Sequence, residues 1–143
     1  SLLLELRHAA LIEVEIGELL RQLTEAASAR ARIPVALRIE GNASLPQEVK
    51  IACYHIAQEA LNNVIKHARA HHAEVSLRLE PEYVNLEIRD DGQGFVQHTV
   101  TAEHLGLTIM GERADGVGGT LLVESAPSEG TTIRFVWQPA MHD

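Results

Sequence analysis

One stretch, Gln58-Glu59-Ala60-Leu61-Asn62-Asn63-Val64-Ile65-Lys66-His67-Ala68, limits the possible folds of this chain more than any other. Cys53, Ile56, Ala57, Ala60, Leu61, Val64 and Ala68 recur at three- and four-residue steps, the spacing of a helix with one buried face. At about 100° per residue, Glu59, Asn63, Lys66 and His67 fall within roughly 100° of one another on the other side. One strip thus presents a carboxylate, an amide, an ammonium and an imidazole. Such a set suits a magnesium ion and the phosphates of a nucleotide. Taken alone, a polar stripe on an amphipathic helix is more often solvated surface with some i,i+4 pairing, so its meaning depends on the rest of the chain.

The buried face of that helix needs a partner, and the sequence supplies strands. Val35 to Glu40 alternates, and so do Ala73 to Leu79 and Tyr83 to Arg89, the latter two joined at Glu80-Pro81-Glu82 as a hairpin. Thr120 to Ser125 and Thr131 to Trp137 form a further pair around the turn Ala126 to Gly130. Helices are expected over residues 11–32, stopped by Pro34, and over 105–117, broken by Gly118-Gly119. For the organising helix, Ser44 is the expected cap and Pro46 suits the first turn. Interleaved helices and hairpins predict an α/β fold, a two-layer sandwich with a mixed, largely antiparallel sheet and helices packed on one face.

At 143 residues the chain fits one domain with a real core. Aromatics are only 3 %, so that core must be mostly Leu, Val, Ile and Ala. A formal net charge of −8 argues against nonspecific nucleic-acid binding. An anionic ligand would then need a metal ion or a local cluster of cations. The single cysteine, Cys53, sits on the apolar helix face as a small core residue. No apolar run reaches membrane-span length and there is no signal-peptide pattern. The opening Ser1-Leu2-Leu3-Leu4 suggests an excised fragment in which residues 1–10 end a linking or dimerisation helix, 11–138 form the domain and 139–143 are a tail.

Two further clusters carry chemistry. Asp90-Asp91-Gly92-Gln93-Gly94 directly follows a strand. Alone it reads as a tight turn. As a ligand floor, its Asp can accept a hydrogen bond from an exocyclic amine, while glycines let a flat ring approach the backbone. Leu105-Gly106-Leu107-Thr108-Ile109-Met110 opens a helix whose free N–H groups can face phosphate oxygens. Gly130-Thr131-Thr132 precedes the last strand.

The order of these clusters resembles the ATP-binding catalytic domain of sensor histidine kinases, within the superfamily shared with gyrase, heat-shock chaperone and mismatch-repair ATPases. Residues 46–69 resemble its N box, 88–95 its G1 box and 104–119 its G2 box. The Gln58-Glu59-Ala60-Leu61-Asn62-Asn63 run, Lys66-His67-Ala68 and His104 to Ala114 look most like the nitrate/nitrite-sensor and DesK-like subfamily. The resemblance implies ATP and Mg2+ as ligands, with Asn63 on the metal, Lys66 offsetting phosphate charge and His67 donating to a phosphate. Asp90 would receive the adenine amino group, Gly92 and Gly94 would shape the floor, and Thr131 or Thr132 would close the adenine side. Leu105, Gly106, Leu107 and Met110 would cover phosphates and ring, with residues 95–104 as a mobile lid in which His98 and His104 are loop residues. Glu59 would activate water, orient a metal-bound water or assist the acceptor histidine. Two positions depart from the family pattern: His104 stands where many relatives open the G2 box with Gly, and Gly111 where many have Arg.

The implied reaction moves the ATP γ-phosphate to a histidine of a separate dimerisation domain, and none of the eight histidines here has that context. The implied partners are that domain and a response regulator with a helix-turn-helix output. A monomeric, cytoplasmic fragment without membrane contact is expected. The competing readings are a nucleotide-dependent regulatory module, an autonomous ATPase of the same superfamily, and a structural α/β domain.

Overall fold

The computed structural model describes residues 11–96 and 102–139, and the side chains of 102–104 are not described. The expected linking helix at 1–10, residues 97–101 of the expected lid with His98, and the last residues of the tail lie outside the described residues.

Alternation makes the sheet. Ala73, Val75, Leu77 and Leu79 of β2 (Ala73–Glu80) are buried, as are Val84, Leu86 and Ile88 of β3 (Tyr83–Asp90). Their neighbours in sequence point to the opposite face. Together with β1 (Val35–Gly41), β4 (Thr120–Ser125) and β5 (Thr131–Trp137) they form a five-stranded sheet of order β1-β2-β3-β5-β4. Only the β1–β2 pair is parallel among these ladders. A parallel pair needs a crossover, and the organising helix provides it.

That helix, α2 (Gln47–Asn63), continues as a π-helical turn over Val64–Ala68. Its Cys53, Ile56, Ala57, Ala60 and Leu61 join Val75, Leu77, Leu86 and Phe135 of the sheet in one core. Helices α1 (Ile16–Ala31) and α3 (Ala102–Gly116) flank it, so α2 is packed between them above the sheet. The expected mixed sheet with helices on one face is the observed architecture. Trp137 fastens α3 to β5 by donating its indole N–H to the Val117 carbonyl at 3.0 Å. Burial pushes the Cys53 thiol up to about 12, so it behaves as a core residue.

Three local expectations are corrected. The first helix is not continuous over 11–32: a helical turn at 11–13 ends at a bend, and α1 begins at Ile16. Lys50 explains the bend, because its ammonium donates to the carbonyls of Ile12 at 2.7 Å and Val14 at 3.0 Å. Ser44 does not cap α2; Pro46 occupies the cap position in an extended conformation with no side-chain cap bond. Its fixed φ aims the chain into the helix without a capping oxygen. Finally, α3 begins at Ala102 rather than Leu105, so Gly106 stands beyond the first turn and not at the free N-terminus.

Leu86→Ala removes a fully buried side chain from the helix-covered face and should cost roughly 2–5 kcal/mol. Leu122→Ala, on the uncovered face, should cost less than about 0.5 kcal/mol. Urea unfolding followed by the emission of Trp137 checks both, and equal losses would contradict the assignment of faces.

Candidate functional site

The site grows out of the core's own alternation. Asp90 follows Ile88 on the helix-facing side of β3, and Thr131 precedes Ile133 on the same side of β5. Where the strands leave the core, the apolar series thus ends in a carboxylate and a hydroxyl, opposite one another in the ladder. Above them the π turn widens the end of α2. A π turn advances fewer degrees per residue than an α turn. The Ala68 carbonyl faces the turn after β3, and Lys66 is exposed.

The result is a cleft of about 430 Å³, a figure that takes in open solvent at its mouth. Its helical wall is Ala60, Asn63, Val64, His67 and Ala68, and its floor is Ile88, Asp90, Thr131 and Ile133. Gly94, Phe95 and Leu107 complete it.

The turn after β3 is fastened on both sides. The Gln93 N–H donates to the Ala68 carbonyl at 2.6 Å and its side-chain amide donates to the His67 carbonyl. On the other side Ser128 N–H donates to the Gln93 carbonyl at 2.7 Å. The fit leaves no space for side chains: a Cβ at Gly92 would sit 2.1 Å from the Ala68 oxygen. Gly94 has φ +63° and abuts the Ala126 carbonyl, a conformation that favours glycine.

The two aspartates divide their work. Asp90 Oδ1 accepts the Gly92 N–H at 2.8 Å. Burial pushes its carboxyl above the ordinary value, a push opposed by that N–H and by the Thr131 N–H. Asp91 faces away and accepts the N–H groups of His71 at 2.8 Å and His72 at 2.9 Å, with His72 Nδ1 at 3.2 Å. The backbone bond from His72 leads the effects that hold its carboxyl down to about 2. It ties the link between the π turn and β2.

Of the residues singled out in the sequence, Asn63, His67, Asp90, Gly94, Leu107 and Thr131 line one cleft. Gly92 lies beneath it against the π turn. Glu59 and Gly106 meet at its edge: a Cβ on Gly106 would fall 2.6 Å from Glu59 Oε1 and 3.3 Å from Asn63 Nδ2. Glycine therefore lets α3 approach the polar strip of α2. Met110 is fully buried in the core. Thr132 pairs with Arg89 on the opposite face of the sheet. Lys66 is exposed, and Leu105 is 66 % exposed. The sequence reading did not single out Phe95, Ile88 or Ile133 for the site. The strand alternation marks the two isoleucines, but only as core.

An apolar cleft with one half-buried acceptor on its floor suits a flat heterocycle carrying an amino group. The amide and imidazole on its helical wall suit oxygen-rich groups.

The raised Asp90 pKa has a defined sign for stability. Protonated Asp90 favours the fold below the unfolded pKa of 3.8, and that contribution is lost as pH rises through the folded value. At neutral pH the charge is a cost. Asp90→Asn should therefore melt higher than wild type at pH 7, with the gap closing as pH falls below the ordinary carboxylate range. A lower melting temperature at pH 7 in scanning calorimetry would contradict this.

Similarity to known proteins agrees with this geometry. Residues 48–141 match the family described as histidine kinase-, DNA gyrase B- and HSP90-like ATPases. The sensor histidine kinase LiaS of Bacillus subtilis is 33 % identical over 134 residues, which is 94 % of this chain and 37 % of that protein. The sensor protein VraS of Staphylococcus saprophyticus is 31 % identical over 134 residues, again 94 % of this chain and 38 % of that protein. The histidine-protein kinase/phosphatase DegS of Brevibacillus brevis is 38 % identical over 88 residues, or 62 % of this chain and 23 % of that one. The chain thus spans less than two fifths of the length of these relatives. Among solved structures, full-length ShkA in complex with AMPPNP superposes with a TM-score of 0.69 at 22 % identity, covering 90 % of this chain and 31 % of that one. The histidine kinase domain of the blue-light activated kinase EL346 from Erythrobacter litoralis gives 0.67 at 20 % identity, covering 89 % and 62 %. Because the family match takes in α2, the turn after β3, α3 and the last hairpin, the chain belongs to the family of histidine kinase-, DNA gyrase B- and HSP90-like ATPases.

Proposed function

We propose that this chain is the catalytic ATP-binding domain of a two-component sensor histidine kinase, which binds Mg-ATP and passes the γ-phosphate to a histidine on a separate dimerisation domain for relay to a response regulator. The observation that carries this reading is the cleft in which Asp90 and Thr131 face Asn63 and His67 across apolar walls. Ionised Asp90 is an acceptor-only group and matches the amino group of adenine. Ile88, Ile133 and Leu107 would contact the ring. Asn63 and His67, on the helical side, would meet the phosphates.

The donor set fits magnesium. Among the described residues no group of three His, Cys, Asp or Glu side chains is placed to hold a metal, so a cage of protein ligands is not built. Magnesium usually keeps several waters and takes one or two protein oxygens beside substrate phosphates. The neutral Asn63 amide oxygen suits that role, because it adds no negative charge next to a triphosphate. When bound, the ion would neutralise phosphate charge. Lys66 would add positive charge from the rim.

Glu59 sits beside Asn63 across Gly106. That place suits a residue that orients water or assists the acceptor histidine. The same placement favours a second reading, an autonomous ATPase in which Glu59 activates water. The remaining partner is a response regulator with a helix-turn-helix output, met on the cytoplasmic side. No helix among the described residues is long and apolar enough to cross a membrane.

Calorimetry should find saturable binding of Mg-ATP and ADP, with Asp90→Asn weakening it about ten- to a hundredfold, the loss of a charged hydrogen bond worth roughly 1.5–3 kcal/mol. Adding a dimerisation domain with its acceptor histidine should bring labelled phosphate onto that domain. Steady phosphate release by the chain alone would favour the ATPase, and binding without either reaction a regulatory module. No binding by wild type would contradict the proposal.

A further inference from the structure

We propose that Ser125 is a positioning residue, whose hydroxyl ties Phe95, at the end of the turn after β3, to the hairpin that carries Thr131. The inference rests on the nucleotide-binding reading above and adds to it a residue that the sequence motifs do not mark. Ser125 is the last residue of β4, paired across the ladder with Thr131. It does not line the cleft. Its Oγ nevertheless lies 3.0 Å from the Phe95 amide nitrogen, 3.1 Å from the Gly130 carbonyl oxygen and 2.9 Å from Thr131 Oγ1. All three contacts are partly buried.

A hydroxyl has one proton and two lone pairs, enough to meet these three contacts together. The proton goes to the Gly130 carbonyl. The lone pairs receive the Phe95 N–H and the Thr131 hydroxyl proton. The consequence for Thr131 is chemical as well as geometric. With its proton committed to Ser125, Thr131 turns lone pairs toward the cleft, beside the acceptor Asp90. The consequence for Phe95 is mechanical. Phe95 lines the cleft and ends the turn after β3. Its backbone N–H is held to β4 by a side chain, so this hydroxyl helps to fix where Phe95 lies against the cleft.

The test uses the 143-residue chain as wild type, Ser125→Ala, Ser125→Thr and Ser125→Val. Thr and Val are both stiff residues that suit a strand, and they differ in the hydroxyl alone. Their comparison stands even if the Ala variant does not fold. Two readouts are taken: amide exchange at Phe95 by NMR without nucleotide, and ADP affinity by calorimetry. The expected result is Phe95 exchange about tenfold faster in Ala and Val, ADP affinity about tenfold weaker in both, and both restored to within about twofold in Thr, the size of one neutral hydrogen bond. Unchanged Phe95 exchange in Val would overturn the tether, whether or not the chain binds nucleotide. Faster exchange with unchanged ADP affinity would overturn the positioning role. Wild type that binds no ADP would count against the proposed function, and the exchange comparison would still decide the tether.

Discussion

The functional end of the molecule depends on backbone packed against backbone. The segment after β3 is threaded between the end of α2 and the β4–β5 turn so tightly that side chains are excluded at Gly92 and Gly94, where a Cβ would fall 2.1 Å and 2.0 Å from carbonyl oxygens. Hydrogen bonds from Gln93 to Ala68 and from Ser128 to Gln93 close both seams. Peptide groups are stiffer than side chains. A cleft framed by them holds its shape before any ligand arrives, which lowers the ordering cost of binding.

The core supplies the rest of the frame. Phe135, Leu86, Leu77 and Ile56 are fully buried, and the strand register that buries them also sets Asp90 and Thr131 on the helix-facing side. A slip of one residue would send both to the open face. Site and core therefore share one register. The cost appears at Asp90, whose carboxyl is pushed above its ordinary value by burial. Functional groups held in environments that disfavour them are a common trade against stability.

Much of this was legible in the sequence, and for definite reasons. The strands were, because Val84, Leu86 and Ile88 alternate with Asn85, Glu87 and Arg89. The buried face of α2 was, because its apolar positions repeat at helical spacing. Of the polar strip, Asn63 and His67 reach the cleft and Lys66 does not. Lys66 lies at the far edge of the strip even on a regular helix, whereas the π turn, bonded at its end to Gln93 far along the chain, has no local signature. The bend before α1 escaped for the same reason, since it depends on Lys50, 38 residues from Ile12. The contacts of Ser125 Oγ join two separate segments, Phe95 and Gly130-Thr131, and no local pattern encodes them. Met110 and Thr132 carry family-motif identities, yet one is in the core and the other on the far face.

The most direct measurement is a calorimetric comparison of ATP with inosine triphosphate, which replaces the 6-amino group of the purine by an oxo group. The phosphates, sugar and ring shape stay the same, and only the 6-position and the proton on N1 change, so the difference reports on the purine edge that would face Asp90. An acceptor-only floor should bind the amino form at least about a hundredfold more tightly, because the oxo form sets acceptor against acceptor and leaves a buried group unpaired. Equal affinities would place the ring somewhere other than between Asp90 and the end of α2, and would contradict the assignment of this cleft as the adenine site.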